Sequence, residues 1–234
     1  MLLSADQALG LTESHLVDVP GCGGAVRRIH VDALNDFVAL REHCAAQGVE
    51  LAIASSYRSF DRQLALWNQK MRGERPVLDD HGQLVVLDHL SDTEKLPFVL
   101  RWTALPGCSR HHWGSDLDVY DLAAMPQGYS LQLVPEEYAE FGPFHKLGRC
   151  FDDWFANKDC HGFFRPYAED RGGVAVEPWH ISHRGVAGVA ENTICPEAVQ
   201  KVLARVEIEG RGAILEQFEQ IWQRYVYQEK NRAV

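Results

Sequence analysis

The stretch SRHHWGSDLDVYD, from Ser109 to Asp121, constrains the fold of this chain more than any other. Its second half alternates apolar and polar residues, which is typical of a half-buried β-strand, and Gly114 supplies the turn before it. A strand has to pair with other strands, so this segment predicts a sheet. The histidines and aspartates around the turn are also potential metal ligands.

The neighbouring segments alternate between helical and strand patterns. Apolar spacing predicts a helix over 31–47, a strand over 49–57 and a second helix from Ser59 to Met71. Farther along, the pattern predicts a helix over 148–158 and a short apolar strand over 172–182. Strands and helices that follow one another in this way favour a mixed fold.

Two further regions complete the expected organisation. Residues 73–97 are polar and turn-rich, with DDHG as a hairpin signal and Ser91 and Glu94 as a capping box, so we expect an insertion near the functional site. We predict an α+β fold with a small central antiparallel sheet flanked by helices, in a single domain over 1–195. A helical C-terminal extension, 196–234, is expected to pack on the same domain.

Composition restricts the partners. The chain has 33 acidic and 23 basic residues and a formal net charge of -10, which argues against nucleic acid and anionic membranes as partners. No apolar run approaches the roughly 18 residues of a membrane-spanning helix, and the N-terminus lacks the pattern of a secretory signal. From the sequence alone we expect a cytoplasmic protein. Its six cysteines form no CxxC pair and are expected to be reduced.

Two clusters can supply the three nitrogen or oxygen ligands that a hydrolytic zinc site needs. His111 and Asp118 flank the glycine turn, and EPWH, from Glu177 to His180, lies on a later predicted strand. Two neighbouring strands would bring these clusters together. A straight strand would place Glu177 and His180 on opposite faces, so the site requires a bend near Pro178.

The order of these residues resembles a known family. Ser109-x-His111-x-x-Gly114-x-x-x-Asp118 followed by Glu177-x-x-His180 is similar to the signature of the zinc D-alanyl-D-alanine carboxypeptidases of the VanY type, in the superfamily of lysostaphin and the hedgehog signalling domains. Upstream, SSYRSFDRQ resembles the S-G-Y-R-S-x-x-x-Q block of that family. The resemblance extends roughly over 51–182.

The resemblance implies a role for each matching residue. Zn²⁺ would be held by His111, Asp118 and His180, and Glu177 would be the catalytic base. Substrate would be bound by Arg58, Gln63 and Ser109. The chemistry is consistent, because zinc lowers the pKa of a bound water toward about 7 and an arginine fork suits a terminal carboxylate.

The implied substrate is a murein peptide or muropeptide. A cytoplasmic D,D-carboxypeptidase would attack the pentapeptide precursor of the cell wall. The expected location therefore favours an L,D-carboxypeptidase that removes D-Ala from recycled tetrapeptides. A D,D-carboxypeptidase, a peptidoglycan endopeptidase and an inactive muropeptide-binding protein are the alternatives.

Several residues have open roles. Asp116 stands where the family commonly has a small residue; it would either hydrogen-bond a ligand histidine or add negative charge at the metal. His112 is expected to point away from the metal, toward substrate or into packing. His81 and His89 in the insertion are expected to be solvated. We expect 183–195 to form a loop at the rim of the site.

Overall fold

A computed structural model describes residues 2–19, 26–156 and 162–227 of the chain. The strands are β1 (Leu16–Val19), β2 (Arg27–His30), β3 (Leu51–Ser55), β4 (Asp116–Asp121), β5 (Phe163–Phe164) and β6 (His180–His183). The helices are α1 (Ala5–Ala8), α2 (Leu34–Ala46), α3 (Phe60–Met71), α4 (Asp92–Trp102), α5 (His145–Ala156), α6 (Arg184–Thr193), α7 (Pro196–Leu203), α8 (Arg211–Glu216) and α9 (Phe218–Ile221). Short 3₁₀ turns cover Val31–Ala33, Arg110–Trp113 and Pro135–Glu137, and a π-helical turn covers Trp222–Tyr227.

The central sheet has four antiparallel strands in the order β3, β4, β6, β5, and β1 with β2 forms a separate hairpin. Strand β4 lies between β3 and β6 and determines the register of both. Asp118 pairs with His180, and Asp116 pairs with Ser182. The α+β prediction, with a small antiparallel sheet flanked by helices in a single domain, is confirmed.

The two largest apolar cores lie among these elements. One joins the sheet to α2 and α5 through fully buried side chains such as Phe37, Leu117 and Phe151. The other joins α3 and α4 to the C-terminal helices, where Trp67 packs with Phe218 and its indole N–H donates to the Glu209 carbonyl at 3.1 Å. The C-terminal segment thus buries its apolar face against α3 and α4. The boundaries at 195 and at 73–97 stay predictions.

Two of the expected elements are wrong. The strand expected over 172–182 is irregular up to a turn at Pro178 and Trp179, and β6 begins only at His180. Proline has no N–H to donate to a sheet, which explains why the strand starts late. The loop expected over 183–195 is mostly the helix α6, which begins where the His183 ring accepts a hydrogen bond from the Val186 N–H.

Other local predictions fit the structure within a few residues. Ser59 caps α3, and Ser91 with Glu94 forms the capping box of α4. The DDHG segment is a tight turn closed by a bridge between Leu78 and Leu84. The helix expected over 148–158 begins earlier, at His145, and its last two positions lie outside the described residues.

The cysteines of the described segments are free thiols. Cys44, Cys108 and Cys150 are buried and Cys195 is exposed, while Cys22 and Cys160 lie outside the described residues. Cys44 and Cys150 face each other from α2 and α5, with their sulfurs 3.1 Å apart. Across the described ranges, no helix has the length and apolar character needed to span a membrane.

Candidate metal centre

Strand pairing and a glycine turn bring three potential ligands together. Asp118 and His180 are opposite each other on β4 and β6, and the 3₁₀ turn before β4 adds His111. His111 Nε2 lies 3.3 Å from Asp118 Oδ2, and His180 Nδ1 lies 3.1 Å from Asp118 Oδ1. One atom from each of the three side chains lies within 4.8 Å of the other two. The side chains predicted to bind metal therefore meet at one point.

Gly114 makes this turn possible. Its φ of +70° is in the left-handed region, and a Cβ there would lie 2.5 Å from the Leu16 side chain and 2.8 Å from the His30 nitrogen. Any other residue would therefore meet both backbone strain and a clash with the β1–β2 hairpin. The glycine fixes the distance between His111 and β4.

The donor atoms fit a bound cation. Asp118 Oδ1 is buried and forms no hydrogen bond, although the His180 nitrogen is near. His111 Nδ1 lies 3.0 Å and 3.1 Å from the carbonyls of Ser56 and Asp116; since a carbonyl only accepts, this nitrogen carries the proton and Nε2 keeps its lone pair. A buried lone pair beside an unsatisfied carboxylate oxygen is costly without a cation. Two histidines and one carboxylate are a ligand set that zinc accepts.

Asp116 is hydrogen-bonded to the nitrogen of the His180 ring that points away from Asp118. Its Oδ1 lies 2.9 Å from His180 Nε2, so the ring donates from Nε2 and its Nδ1 faces Asp118. Arg110 donates from Nε to the same oxygen at 2.8 Å and from Nη1 to Glu191 at 2.6 Å. Ser182 donates to Oδ2 of Asp116 at 3.0 Å. Of the two roles left open for Asp116, the hydrogen bond to a histidine of the cluster is the one observed.

Neighbouring charges and hydrogen bonds shift the pKa values of Asp116 and His180 more than burial does. Burial alone would raise the pKa of Asp116, but the Arg110 charge and the His180 hydrogen bond hold it well below the usual range. Burial alone would lower the pKa of His180, but the hydrogen bond to Asp116 and the neighbouring carboxylates of Asp118 and Glu177 raise it well above its usual value. A metal ion bound by His180 would compete with a proton for its ring nitrogen.

Glu177 reaches the cluster through the turn that the sequence required. The His180 N–H donates to the Glu177 carbonyl at 3.1 Å across Pro178 and Trp179. This turn places Glu177 Oε2 3.3 Å from His180 Nδ1, on the metal-facing side of the ring. The Glu177 side chain keeps 12% of its surface exposed, so solvent reaches part of it. Such a position suits a group that exchanges protons with water.

The Arg58 guanidinium is held by hydrogen bonds to neutral side chains. It donates from Nη1 to Gln63 at 2.8 Å and from Nη2 to Ser55 at 3.2 Å. Burial lowers the pKa of Arg58, while the negative charges of Asp118 and Glu177 act in the opposite direction. The Arg58 backbone N–H donates to the His111 carbonyl at 3.0 Å, so Arg58 lies beside the turn that carries His111. Its guanidinium has more N–H groups than these two hydrogen bonds use, and they are available to an anion.

The other predicted residues contribute to the surroundings. Gln63 is fully buried and donates to the Ala104 carbonyl at 2.6 Å, which fixes the amide that orients Arg58. Ser109 is buried at the start of the 3₁₀ turn that carries His111. His112 packs away from the cluster: it receives the Gly107 N–H and donates to the Arg58 carbonyl at 2.6 Å. Burial lowers the pKa of His112 to about 3, so it is neutral.

One residue near the site was missed by sequence reasoning. Lys70 lies on α3, seven positions after Gln63 and hence on the same helical face, and this spacing was the available signal. Its ammonium donates to Thr103 Oγ1 at 2.6 Å, and the charges of Glu177 and Arg58 both affect its pKa. By contrast, His81 and His89 of the insertion are exposed, as expected.

Comparisons with known proteins identify a family and two relatives of this chain. The family model of VanY, D-alanyl-D-alanine carboxypeptidase, matches residues 26–186. An uncharacterized protein of Haemophilus influenzae is 38% identical over 105 residues, which cover 45% of this chain and 72% of the relative. A second one is 32% identical over 124 residues, or 52% of this chain and 92% of the relative.

Solved structures with a similar outline include a vancomycin resistance D,D-pentapeptidase, VanY, in complex with Zn(II). It is 20% identical, with a TM-score of 0.49 over 85% of this chain and 93% of that chain. The LdcB LD-carboxypeptidase is also 20% identical, with a TM-score of 0.49 over 84% of this chain and 80% of that chain. The family model spans every residue of the cluster described above, and the chain belongs to the VanY D-alanyl-D-alanine carboxypeptidase family.

Proposed function

We propose that this protein is a zinc-dependent carboxypeptidase that removes the C-terminal D-Ala from murein peptides. The observation that carries the proposal is the convergence of His111, Asp118 and His180 beside Glu177, with Arg58 next to the turn that carries His111. A metal cluster, a solvent-accessible carboxylate and a buried cation with neutral partners are the three parts that hydrolysis at a free C-terminus requires.

The ligands of the metal would be His111 Nε2, Asp118 and His180 Nδ1. A bound zinc ion supplies Lewis acidity, which lowers the pKa of a water toward about 7 and polarises a carbonyl group. The protein's contribution is orientation: Ser56 and Asp116 hold the far nitrogens of the two histidines, so that both near nitrogens point to Asp118.

Glu177 is the proton-transfer group. Its carboxylate takes a proton from the attacking water and returns it to the departing amine, because the turn at Pro178 holds it beside the cluster while solvent still reaches it. General acid–base catalysis of this kind contributes about 10²- to 10⁴-fold. The alternative to an enzyme is a muropeptide-binding protein without catalytic activity. The presence of Glu177 in this position argues against that alternative.

Arg58 makes the enzyme an exopeptidase. The Gln63 and Ser55 side chains hold its guanidinium but leave N–H donors free, and a planar fork of donors matches a terminal carboxylate. The amide of Gln63 is itself fixed by the Ala104 carbonyl, so the fork is oriented before substrate arrives. A peptide bound in this way presents its last bond to the metal cluster.

The second part of the proposal concerns which peptide bond is cleaved and in which pathway. We favour L,D-carboxypeptidase activity on murein tetrapeptides in cytoplasmic recycling, and cleavage of D-Ala-D-Ala is the alternative. These two substrates differ in the configuration of the residue before the terminal D-Ala. Arg58 and Glu177 would have the same roles in both reactions. The preference for one peptide would therefore depend on the pocket that binds the residue before the terminal D-Ala.

Incubation with murein tetrapeptide and pentapeptide in separate reactions, followed by mass spectrometry, tests both levels. Release of D-Ala from the tetrapeptide supports the L,D proposal, and release from the pentapeptide alone contradicts it. Glu177→Gln is the matched control: it should retain zinc and lose hydrolysis. Protein prepared without chelators that contains no zinc, with activity unaffected by Glu177→Gln, would overturn the mechanism. Binding of both peptides without release would indicate a binding protein.

A further inference from the structure

The loop that carries Glu177, residues 167–177, lies between β5 and β6 and contains neither helix nor strand. Its middle part, 168–172, is exposed. Its two ends meet, because the Glu177 N–H donates to the Tyr167 carbonyl at 3.1 Å. The Tyr167 ring packs edge-on against the His180 ring, with 4.7 Å between the centroids. The position of the Glu177 carboxylate therefore depends on the contacts that hold this loop from outside.

Arg101, in the last turn of α4, holds the loop just before Glu177. Its Nη1 donates to Asp170 at 3.0 Å and to the Gly173 carbonyl at 2.8 Å, and its Nη2 donates to the other oxygen of the Asp170 carboxylate. Its own carbonyl accepts the Ala175 N–H at 3.0 Å. The side chain and the backbone of one residue thus fix three positions of the loop, the last of them two residues before Glu177.

The same guanidinium joins the loop to the insertion. Its Nε donates to Asp80 of the insertion at 2.6 Å. A planar fork has donors in several directions and binds Asp80, Asp170 and Gly173 at once, which a lysine cannot do. From the C-terminal segment, Arg224 of the π-helical turn donates to the Gly172 carbonyl. Helix α4, the insertion and the C-terminal turn therefore meet at the loop that carries the proposed base.

These contacts should matter more for the geometry of the loop than for the stability of the fold. Asp80 and Asp170 keep 68% and 49% of their side-chain surface exposed, and ion pairs of such carboxylates contribute little to stability. Removal of the Arg101 side chain should therefore release the loop without unfolding the protein. A catalytic group displaced by about 1 Å can cost about 10²-fold in rate.

We infer that Arg101 is a positioning residue: by holding the 167–177 loop, it keeps the Glu177 carboxylate beside the metal cluster. This inference rests on the proposed function of Glu177 as the proton-transfer group. The Arg101 side chain binds the insertion and the loop, so its effect on the cluster passes through the loop. The insertion and the C-terminal turn contribute to the same support.

A double-mutant cycle tests whether Arg101 acts through Glu177. Arg101→Met should lower kcat for D-Ala release by about 10- to 100-fold, with zinc content and KM unchanged. In the Glu177→Gln background the same change should have no further effect, because the base that Arg101 positions is already absent. Equal losses in both backgrounds would overturn the inference, and so would an unchanged kcat in Arg101→Met.

Arg72→Met is the matched control. Arg72 also donates three hydrogen bonds to two carboxylates, those of Glu74 and Glu209, and both of these partners lie outside the loop. The variant should therefore keep the kcat of the wild-type protein and the exchange rates of its loop amides.

Hydrogen exchange followed by NMR is a second measurement, and it needs no activity. In Arg101→Met the amides of Ala175 and Glu177 should exchange at least about tenfold faster, while the amides of β3 keep their wild-type rates. Wild-type exchange rates at Ala175 and Glu177 would overturn the inference. A wild-type protein that releases D-Ala from neither murein peptide would refute the proposed function, and the exchange rates would still decide whether Arg101 holds the loop.

Discussion

Asp116 is the residue through which the structure predicts the sharpest effect on metal binding. The change Asp116→Asn preserves shape but removes the charge that accepts hydrogen bonds from His180 and Arg110. Asparagine still offers one oxygen to the ring, but a neutral amide raises the basicity of the histidine less than a carboxylate does. Loss of such a partner typically lowers metal affinity by about 10- to 100-fold.

Asp116→Asn should lower the free energy of unfolding by less than the removal of one partner from an isolated buried ion pair would. Arg110 keeps its second partner, Glu191, at 2.6 Å and its hydrogen bond to Ser182 at 2.8 Å. Removing one partner of a buried pair costs about 3 to 5 kcal/mol when the other charge is left alone. Because Arg110 is not left alone, we expect a loss of roughly 1 to 3 kcal/mol in the free energy of unfolding of the metal-free protein.

Two measurements separate these effects. Competition with a chromophoric chelator at fixed pH gives the zinc dissociation constant, and urea unfolding of the metal-free protein gives the stability. Asp121→Asn is the matched control: Asp121 lies on the same strand, is buried, and accepts backbone hydrogen bonds from Glu50 and Ala123 without contact with the cluster. It should lower stability and leave zinc affinity unchanged.

An Asp116→Asn variant that is less stable but binds zinc as tightly as wild type would contradict the predicted role of Asp116. Asp116 would then be a structural partner of Arg110 and would have no part in orienting His180. Equal weakening of zinc binding by Asp116→Asn and Asp121→Asn would also contradict this role, since the effect would then come from general destabilisation.

Three further predictions concern the turn and the catalytic groups. Glu177→Gln should lower kcat by about 10²- to 10⁴-fold with unchanged zinc content, measured by D-Ala release and elemental analysis. Arg58→Lys keeps the charge but loses the fork, so KM should rise about tenfold, and equal KM values would contradict carboxylate binding by Arg58. Gly114→Ala should destabilise by more than about 2 kcal/mol in urea unfolding, because its Cβ would clash with Leu16. The control Gly82→Ala has a φ of +71° but open space around it, and should cost only about 1 kcal/mol.

The metal cluster was predictable partly because its motifs are short and local, and partly through the family that the order of these motifs resembles. Strand alternation and the glycine turn determine how His111 and Asp118 approach each other, and pairing of two strands adds His180. Each of these steps follows from a pattern of few residues. The capping residues of α3 and α4 were predictable for the same reason: a side chain that accepts a hydrogen bond three residues ahead needs no distant partner.

The contacts that tune the cluster were not predictable, since they join segments far apart in the chain. Arg110 links Asp116 to Glu191 of α6, a helix that the sequence analysis took for a loop. Lys70 of α3 donates to Thr103, which follows α4, a contact between segments 33 residues apart. The 172–182 strand was assigned too long because short apolar runs do not distinguish a strand from an irregular buried segment.

The register between β4 and β6 couples the core to the metal cluster. Side chains alternate across a strand, so Asp116 and Asp118 share one face of β4, and the Leu117 side chain points to the other, where it is fully buried with its partner Ile181. A shift of one residue would drive an aspartate into the apolar core and Leu117 into the cluster. Burial of Leu117 against Ile181 therefore selects the register that places Asp118 opposite His180. Mutations that weaken this apolar face should loosen metal binding without touching a ligand.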